Sequence, residues 1–188
     1  MFLSSSFIIV KINDKLAVVD FLYNSYFKKE KEGLEDDDFG FYSIDFFDEE
    51  KTIGEIHWSE SFNLGKMNLI NFIRRDNNFI LFTSSVQNYI ILNHILEKLI
   101  GYKLEIELVK IPLKYKLKNH EIEEIVAIEE QNIFGISAIL SLNGKYNLLK
   151  IYTNGLITYT MTNDYEIVKK IIDISLEIIN SIKDSGES

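Results

Sequence analysis

Cysteine is absent from the 188-residue sequence, and proline occurs once. The lack of cysteine excludes disulfides, thiolate metal ligands and cysteine nucleophiles, and argues against a disulfide-stabilised secreted domain. Long apolar runs are also missing, since none approaches the roughly 18 residues of a membrane-spanning helix. The first residues, MFLSSSFIIVKIND, lack the basic region of a signal peptide. We therefore expect an intracellular protein, located in the cytoplasm, or in the nucleus if the source is eukaryotic.

Positive charge is outnumbered by negative charge, with 20 Lys and Arg residues against 29 Asp and Glu residues, and recognisable catalytic motifs are missing. The formal net charge of −9 argues against a protein that coats nucleic acid by bulk electrostatics, although a local binding face is compatible with it. The sequence contains no G-x-S-x-G, G-x-x-x-x-G-K-S/T or G-x-G-x-x-G motif. His57, His94 and His120 are isolated in the sequence, and none has a helical spacing to a second histidine or a carboxylate that suggests a metal site. We therefore expect no enzyme activity, no cofactor and no metal site.

Hydrophobic residues make up 46% of the chain, which is enough for a folded core. In the first half, the apolar spacing predicts a strand, a helix, several strands and a second helix. The predicted strands are 7–12, 39–47, 52–58, 66–73 and 79–83, and the helices are 13–27 and 86–100. Gly101 follows the second helix at the usual C-cap position.

The second half repeats this order of elements. The predicted strands are 102–117, 134–142, 146–153 and 156–161, and the helices are 120–130 and 164–182. KMNLINFI (66–73) aligns with KYNLLKIY (145–152), FILFT (79–83) with LITYT (156–160), and DFGFYSI (38–44) with IFGISAI (133–139). A period of about 80 residues is too long for a solenoid and suits a duplicated half-domain. We predict one half-repeat at 1–101 and another at 102–188.

The duplicated unit resembles the core of TATA-binding proteins. Each half of that family contains a stretch like F-P-G-L-I, then A-L-I-F-x-S-G-K-x-V-x-T-G and a helix; here EEQNIFGISAIL precedes LLKIYTNGLITYTMTND and a helix. Proline is missing from both F-P-G equivalents, and the kink-making aromatic of the family falls on Ile133 or Phe134. The resemblance implies an α+β fold with a curved antiparallel sheet, helices on its convex face, and duplex DNA bound on its concave face.

Strand alternation predicts which side chains this sheet displays. If the last helix covers Leu149, Ile151, Ile157 and Tyr159, the opposite face carries Lys150, Tyr152, Thr158 and Thr160. The repeat assigns Asn71, Ile73, Leu81 and Thr83 to the same face, and the family match adds Phe134. Such a mixed apolar and hydroxyl face suits the acceptor-rich minor groove of DNA. The alternative is a sheet face that binds another protein or a second copy of the chain.

Four lysines alternate with apolar residues in the predicted strand 102–117 and just after it. Lys114 and Lys116 are therefore candidate phosphate contacts, which would position DNA without reading its sequence. The alternative is a lysine-rich edge strand that resists aggregation. Arg74 and Arg75, in the turn of the first hairpin, either contact phosphate or are solvated.

Three hypotheses follow from these patterns. The first is a divergent module of the TATA-binding type, which binds duplex DNA as a transcription or DNA-associated factor and has a protein partner on its helices or sheet edge. The second is a non-enzymatic protein-interaction module, such as a regulatory or immunity-type adaptor, which uses the same sheet face. The third is a ligand-binding cavity between the sheet and the long helix.

Overall fold

The computed structural model describes residues 4–13, 25–31, 39–59, 67–117, 122–131 and 133–184. Most of these residues form antiparallel strands, which are accompanied by two helices, so the expected α+β class is confirmed. The chain divides into two compact units. We name each unit after its helix, α1 (Asn88–Ile100) or α2 (Tyr165–Ser181). The α1 unit comprises Ile9–Thr83 and Gln87–Leu108, and the α2 unit comprises Met1–Ile8, Ser84–Val86 and Val109–Ser188.

The α1 unit contains an antiparallel meander and one helix. Its elements are β1 (Ser6–Ile12), β2 (Ser25–Lys31), β3 (Phe39–Phe46), β4 (Ile53–Ser59), β5 (Asn68–Arg75), β6 (Asn78–Leu81), α1 (Asn88–Ile100) and β7 (Ile106–Leu108). The strand order is β2-β3-β4-β5-β6-β1, and β7 pairs with the last residues of β1. The first three residues of β1 belong to the other unit.

Helix α1 packs against one side of the meander. The ring of His94 on α1 lies 5.7 Å from that of Tyr42 on β3, edge to face. The same side of the sheet buries Phe72, whose ring lies 5.2 Å from that of Phe79. Helix α1 contributes its buried residues Leu92, Ile95 and Leu96, as its apolar periodicity predicts. It ends at Gly101, which has a φ of +84° and donates its N–H to the Glu97 carbonyl at 2.8 Å.

The α2 unit has a second meander and the longer helix. Its elements are β8 (Tyr115–Leu117), β9 (Ile125–Gln131), β10 (Gly135–Leu142), β11 (Lys145–Tyr152), β12 (Leu156–Tyr159), α2 (Tyr165–Ser181) and β13 (Ile182–Asp184). The strand order is β1-β12-β11-β10-β9, and β8 pairs with β13. Asp164 caps α2 by accepting the N–H groups of Glu166 and Ile167 at 3.0 and 3.3 Å. Lys170 on α2 forms a 3.6 Å ion pair with Glu124, which precedes β9.

Two helix predictions need correction. The predicted helix 120–130 is wrong, because Ile125–Gln131 is strand β9 and pairs with β10. Its β-branched residues favour a strand when a partner strand is present, and that pairing outweighs a weak helical periodicity. The predicted helix 13–27 falls mostly on residues 14–24, which lie outside the described residues. Tyr26 and Phe27, at its end, belong to β2.

The long strand predicted at 102–117 is also wrong. The chain instead forms β7 and β8, of three residues each, which pair with β1 and β13 respectively. Pro112 lies between them and has no N–H to donate to a ladder. Lys114 therefore precedes β8, while Lys116 lies within it, and the lysines do not form a stripe along one strand.

The strands of the predicted repeat agree in length but differ in their neighbours. β5 and β11 each have eight residues, and β6 and β12 each have four. β11 is flanked by β10, but β5 is flanked by β4 rather than β3. The aligned stretches Phe39-Gly40 and Phe134-Gly135 thus have different places in their meanders. A repeat of the TATA-binding type stays a prediction. Within the described residues, no helix has the length and apolar character needed to cross a membrane.

Candidate functional site

One face of the meander in the α2 unit is displayed rather than covered. Leu149, Ile151, Ile157 and Tyr159 are buried on one side, as alternation predicts. The opposite side, which we call the open face, carries Ser137, Ile139, Tyr146, Leu148, Lys150, Tyr152 and Thr158.

The centre of the open face is apolar. Ile139 on β10 and Leu148 on β11 are direct cross-strand partners and keep 42% and 43% of their surface exposed. Tyr146, two residues before Leu148 and on the same face, is 74% exposed. None of these three residues is among the predicted site residues. Extending the two-residue alternation backwards from Lys150 would have found Leu148 and Tyr146.

A polar row borders this apolar centre. Ser137 pairs with Lys150, and Lys150 pairs with Thr158 on the other side. Glu129 on β9 continues the row as the cross-strand partner of Ser137. The row thus brings together one ammonium group, one carboxylate and two hydroxyls. The predicted residues Lys150 and Thr158 lie on this face.

The other predicted site residues of the α2 unit lie at the margins of the open face. The Thr160 hydroxyl accepts the Leu148 N–H at 2.8 Å, so Thr160 extends the ladder beyond β12. Tyr152 is half-buried opposite Gly135. Phe134 lies exposed in the turn between β9 and β10, and its carbonyl accepts the Thr153 N–H at 3.1 Å.

Gly135 fixes the geometry of this turn. Its φ of +128° is a conformation that L side chains rarely adopt, and a Cβ there would overlap the carbonyl oxygen of Ile151. The Tyr115 hydroxyl donates to the Gly135 carbonyl at 2.6 Å. Burial raises the pKa of Tyr115, and the negative charge of Glu130 adds to this effect.

The four residues predicted to share a face in the α1 unit do not do so. Leu81 pairs with Phe72 on the side that packs against α1, whereas Ile73 pairs with Ile80 on the other side, where both are also buried. Asn71 lies on the same side as Ile73. The grouping of Leu81 with Asn71 and Ile73 is therefore wrong. The β5–β6 loop has two residues and the β11–β12 loop has three, and a difference of one residue reverses the face.

Thr83 and Arg74 have structural roles in the α1 unit. The Thr83 hydroxyl accepts an N–H from the Asn88 side chain at 2.7 Å, at the start of α1. The Arg74 guanidinium donates to the carbonyls of Lys51 and Glu50 at 2.8 and 2.9 Å, and these hydrogen bonds stabilise the turn between β3 and β4.

The other candidate phosphate contacts are spread over both units. Arg75 is half-buried opposite Asn78 in the α1 unit. Lys114 is exposed in the α2 unit. Lys116 is placed by its backbone in β8, and its side chain is outside the described part.

A polar cluster that the sequence analysis missed lies on the face of the α1 unit that carries Asn71. Glu55 on β4 has Asp45 on β3 and Asn71 on β5 as its cross-strand partners. His57 lies two residues after Glu55 on the same face. Its Nε2 is 3.2 Å from Glu55 Oε1, and its Nδ1 is 3.8 Å from Asp45 Oδ2. We call Asp45, Glu55 and His57 the His57 cluster.

The His57 cluster is half-buried, and its sequence signal is a strand pattern. In a strand, residues two apart share a face, so Glu55-Ile56-His57 places a carboxylate beside an imidazole. Helical spacing of three or four residues passes over this pair, because Glu55 and His57 are two residues apart. Asp45 could not be found from the sequence, because its position depends on the register between β3 and β4.

Comparison with known proteins gives no assignment. No protein-family model matches the chain, and no match was found among the curated proteins or the solved structures. Function therefore has to be inferred from the sites themselves.

Proposed function

We propose that the chain is a non-enzymatic interaction module that binds a partner protein through the open face. The observation that carries this proposal is the exposed apolar pair Ile139 and Leu148 at the centre of an antiparallel sheet face. The solvated face of such a sheet normally alternates to polar residues. Apolar side chains that are contiguous and exposed on a sheet face are typical of binding surfaces. Tyr146 adds a large exposed aromatic side chain of the kind that anchors protein interfaces.

The charge of the chain indicates the chemistry of the partner. The net charge of −9 favours encounter with a basic protein surface. Glu129 lies in the polar row beside the apolar centre and offers a carboxylate to an arginine or lysine. We therefore expect a partner that presents apolar side chains bordered by basic residues.

Duplex DNA is the competing ligand, and three structural features of the two units disfavour DNA binding. Glu129 shares a row with Lys150, the one lysine of the open face. Arg74 donates guanidinium N–H groups to backbone carbonyls, so these groups are not available to a phosphate. Asn71, predicted to contact DNA, lies next to Glu55, whose carboxylate would repel phosphates. DNA binding stays a prediction with its own test.

Site-specific photo-crosslinking tests the proposal. A benzophenone side chain replaces Tyr146 in cells that produce the chain, and the crosslinked protein is identified by mass spectrometry. We expect a partner that crosslinks from Tyr146 and not from Tyr102, an exposed tyrosine of the α1 unit. The adduct should disappear when Leu148→Asp is added and persist with Leu113→Asp, since Leu113 is a leucine 76% exposed outside the open face. Equal crosslinking from Tyr102, equal loss with both aspartates, or an adduct only with a second copy would contradict the proposal.

Fluorescence anisotropy with a labelled AT-rich duplex tests the competing hypothesis. At physiological salt, non-specific DNA binding usually has a dissociation constant of about 1 to 100 µM, and the binding is tighter at low salt. We expect no binding up to tens of micromolar protein at low or moderate salt. Saturable DNA binding that is abolished by Leu148→Asp and preserved in Leu113→Asp would show that the ligand of the open face is DNA and not a protein.

A further inference from the structure

Two carboxylates of the His57 cluster lie directly opposite each other. Asp45 and Glu55 are cross-strand partners on a half-buried face. Like charges in directly opposed positions destabilise an antiparallel pair. A cation between them would convert the repulsion into attraction. The imidazole of His57 lies against both carboxylates, so the cluster combines a nitrogen donor with two oxygen donors.

We propose that the His57 cluster binds a divalent transition-metal ion of the zinc type. One potential ligand atom from each of the three side chains lies within 4.8 Å of the other two. Zinc binds nitrogen and oxygen ligands at about 2.0–2.2 Å, which places tetrahedral ligands about 3.4 Å apart. His57 Nε2 and Glu55 Oε1 already have a separation of 3.2 Å. Asp45 Oδ2 lies 3.8 Å from the other ring nitrogen, Nδ1, so the Asp45 carboxylate would turn towards Nε2 to complete a three-ligand set with an open fourth position for water.

The second nitrogen of His57 supports this assignment. His57 Nδ1 lies 3.3 Å from the hydroxyl oxygen of Ser43, which is buried on the same face of β3. A metal-bound imidazole usually donates its other N–H to a nearby oxygen, and this outer hydrogen bond orients the ring. Ser43 is the cross-strand partner of His57, so the sheet register fixes the contact. Ser43 is thus a positioning residue for the proposed site.

The donor set also selects the class of ion. Imidazole favours zinc and its neighbours among the transition metals, whereas magnesium and calcium prefer sites made of oxygen alone. The competing explanation is that His57 contacts the two carboxylates directly, without any metal. The two explanations differ in their response to added zinc at neutral pH.

Metal titration of the full chain separates them. Metal-free protein is titrated with Zn²⁺ or Mg²⁺ at pH 7 by calorimetry, and thermal unfolding is measured with each ion. We expect one Zn²⁺ per chain with a dissociation constant below about 10 µM, a higher melting temperature with Zn²⁺, and no response to Mg²⁺. Failure of the wild-type chain to bind Zn²⁺ below about 100 µM would overturn the proposal in favour of direct contact between His57 and the carboxylates.

Matched variants locate the site. His57→Gln and Glu55→Gln should each weaken Zn²⁺ binding at least about tenfold, because each removes one ligand. His94→Gln is the control, since His94 is exposed on α1; it should change the affinity less than about twofold. Glu55→Gln keeps the size of the side chain, and circular dichroism checks that each variant is folded. Unchanged affinity in both cluster variants, or equal loss in His94→Gln, would place the zinc elsewhere and refute the site.

Discussion

Replacing Gly135 with alanine tests the turn that supports one end of the open face. A non-glycine residue at a φ of +128° carries a backbone strain of about 1–3 kcal/mol. The added Cβ would also overlap the Ile151 carbonyl oxygen, which belongs to the backbone of β11 and cannot rotate away. We expect Gly135→Ala to lower the free energy of unfolding by about 3 kcal/mol or more.

Gly144→Ala is the matched control. Gly144 has a φ of +74°, but a Cβ there would meet no atom within 4 Å. This substitution should cost only about 1 kcal/mol, which is the strain of the left-handed conformation. The difference between the two variants therefore measures the overlap at Ile151 together with any additional backbone strain at residue 135.

Thermal unfolding followed by circular dichroism gives the readout. For a chain of this size, 1 kcal/mol shifts the melting temperature by about 2–4 °C. Gly135→Ala should therefore melt about 6–12 °C below the wild type, and Gly144→Ala about 2–4 °C below it. Equal shifts for the two variants would refute the close approach of residue 135 to β11.

Two further predictions concern pH. Burial raises the pKa of Tyr159 to about 12, and its hydroxyl donates to the Ser4 carbonyl at 2.8 Å. Because the folded pKa exceeds the unfolded value of about 10, this stabilisation should be complete below pH 10 and be lost as the pH rises towards 12. In urea unfolding, Tyr159→Phe should lower the free energy of unfolding by about 1 kcal/mol at pH 7 and remove its decrease between pH 10 and 12. A decrease of the same size in the variant would contradict this prediction. Burial alone would raise the pKa of Asp48, but hydrogen bonds from the Thr52 hydroxyl and the Ile53 and Thr52 N–H groups outweigh it and lower the pKa below 3.8. This stabilisation should be present above pH 3.8 and be lost as the pH falls through the folded pKa. Asp48→Asn should therefore make the free energy of unfolding depend less on pH in the acid range. An unchanged acid dependence in the variant would contradict this prediction.

Local pattern predicted most of the regular elements. Both described helices agree with the prediction, α1 from its apolar stripe and Gly101 at its end, and α2 from the apolar stretch that follows the second hairpin. The strands β10, β11 and β12 were expected from their two-residue alternation. The division of β11 into a buried side with Leu149 and a displayed side with Lys150 follows from the same alternation.

The failures have nonlocal causes. Strand β9 looks helical in isolation and becomes a strand because β10 offers it a ladder. Leu81 was assigned to the wrong face because a loop shorter by one residue reverses the parity of the strand that follows. The His57 cluster depends on which residues of β3 and β4 lie opposite each other, and one sequence does not give that register.

The affinity of the purified crosslinked partner for three forms of the chain tests most directly whether the open face is the interaction site. Calorimetric titration compares the wild type, Leu148→Asp and Leu113→Asp. We expect Leu148→Asp to weaken binding at least about tenfold, because it buries a charge at the apolar centre of the interface. Leu113→Asp should stay within about twofold of the wild type. Equal affinities for wild type and Leu148→Asp would contradict the proposal that the open face binds the partner.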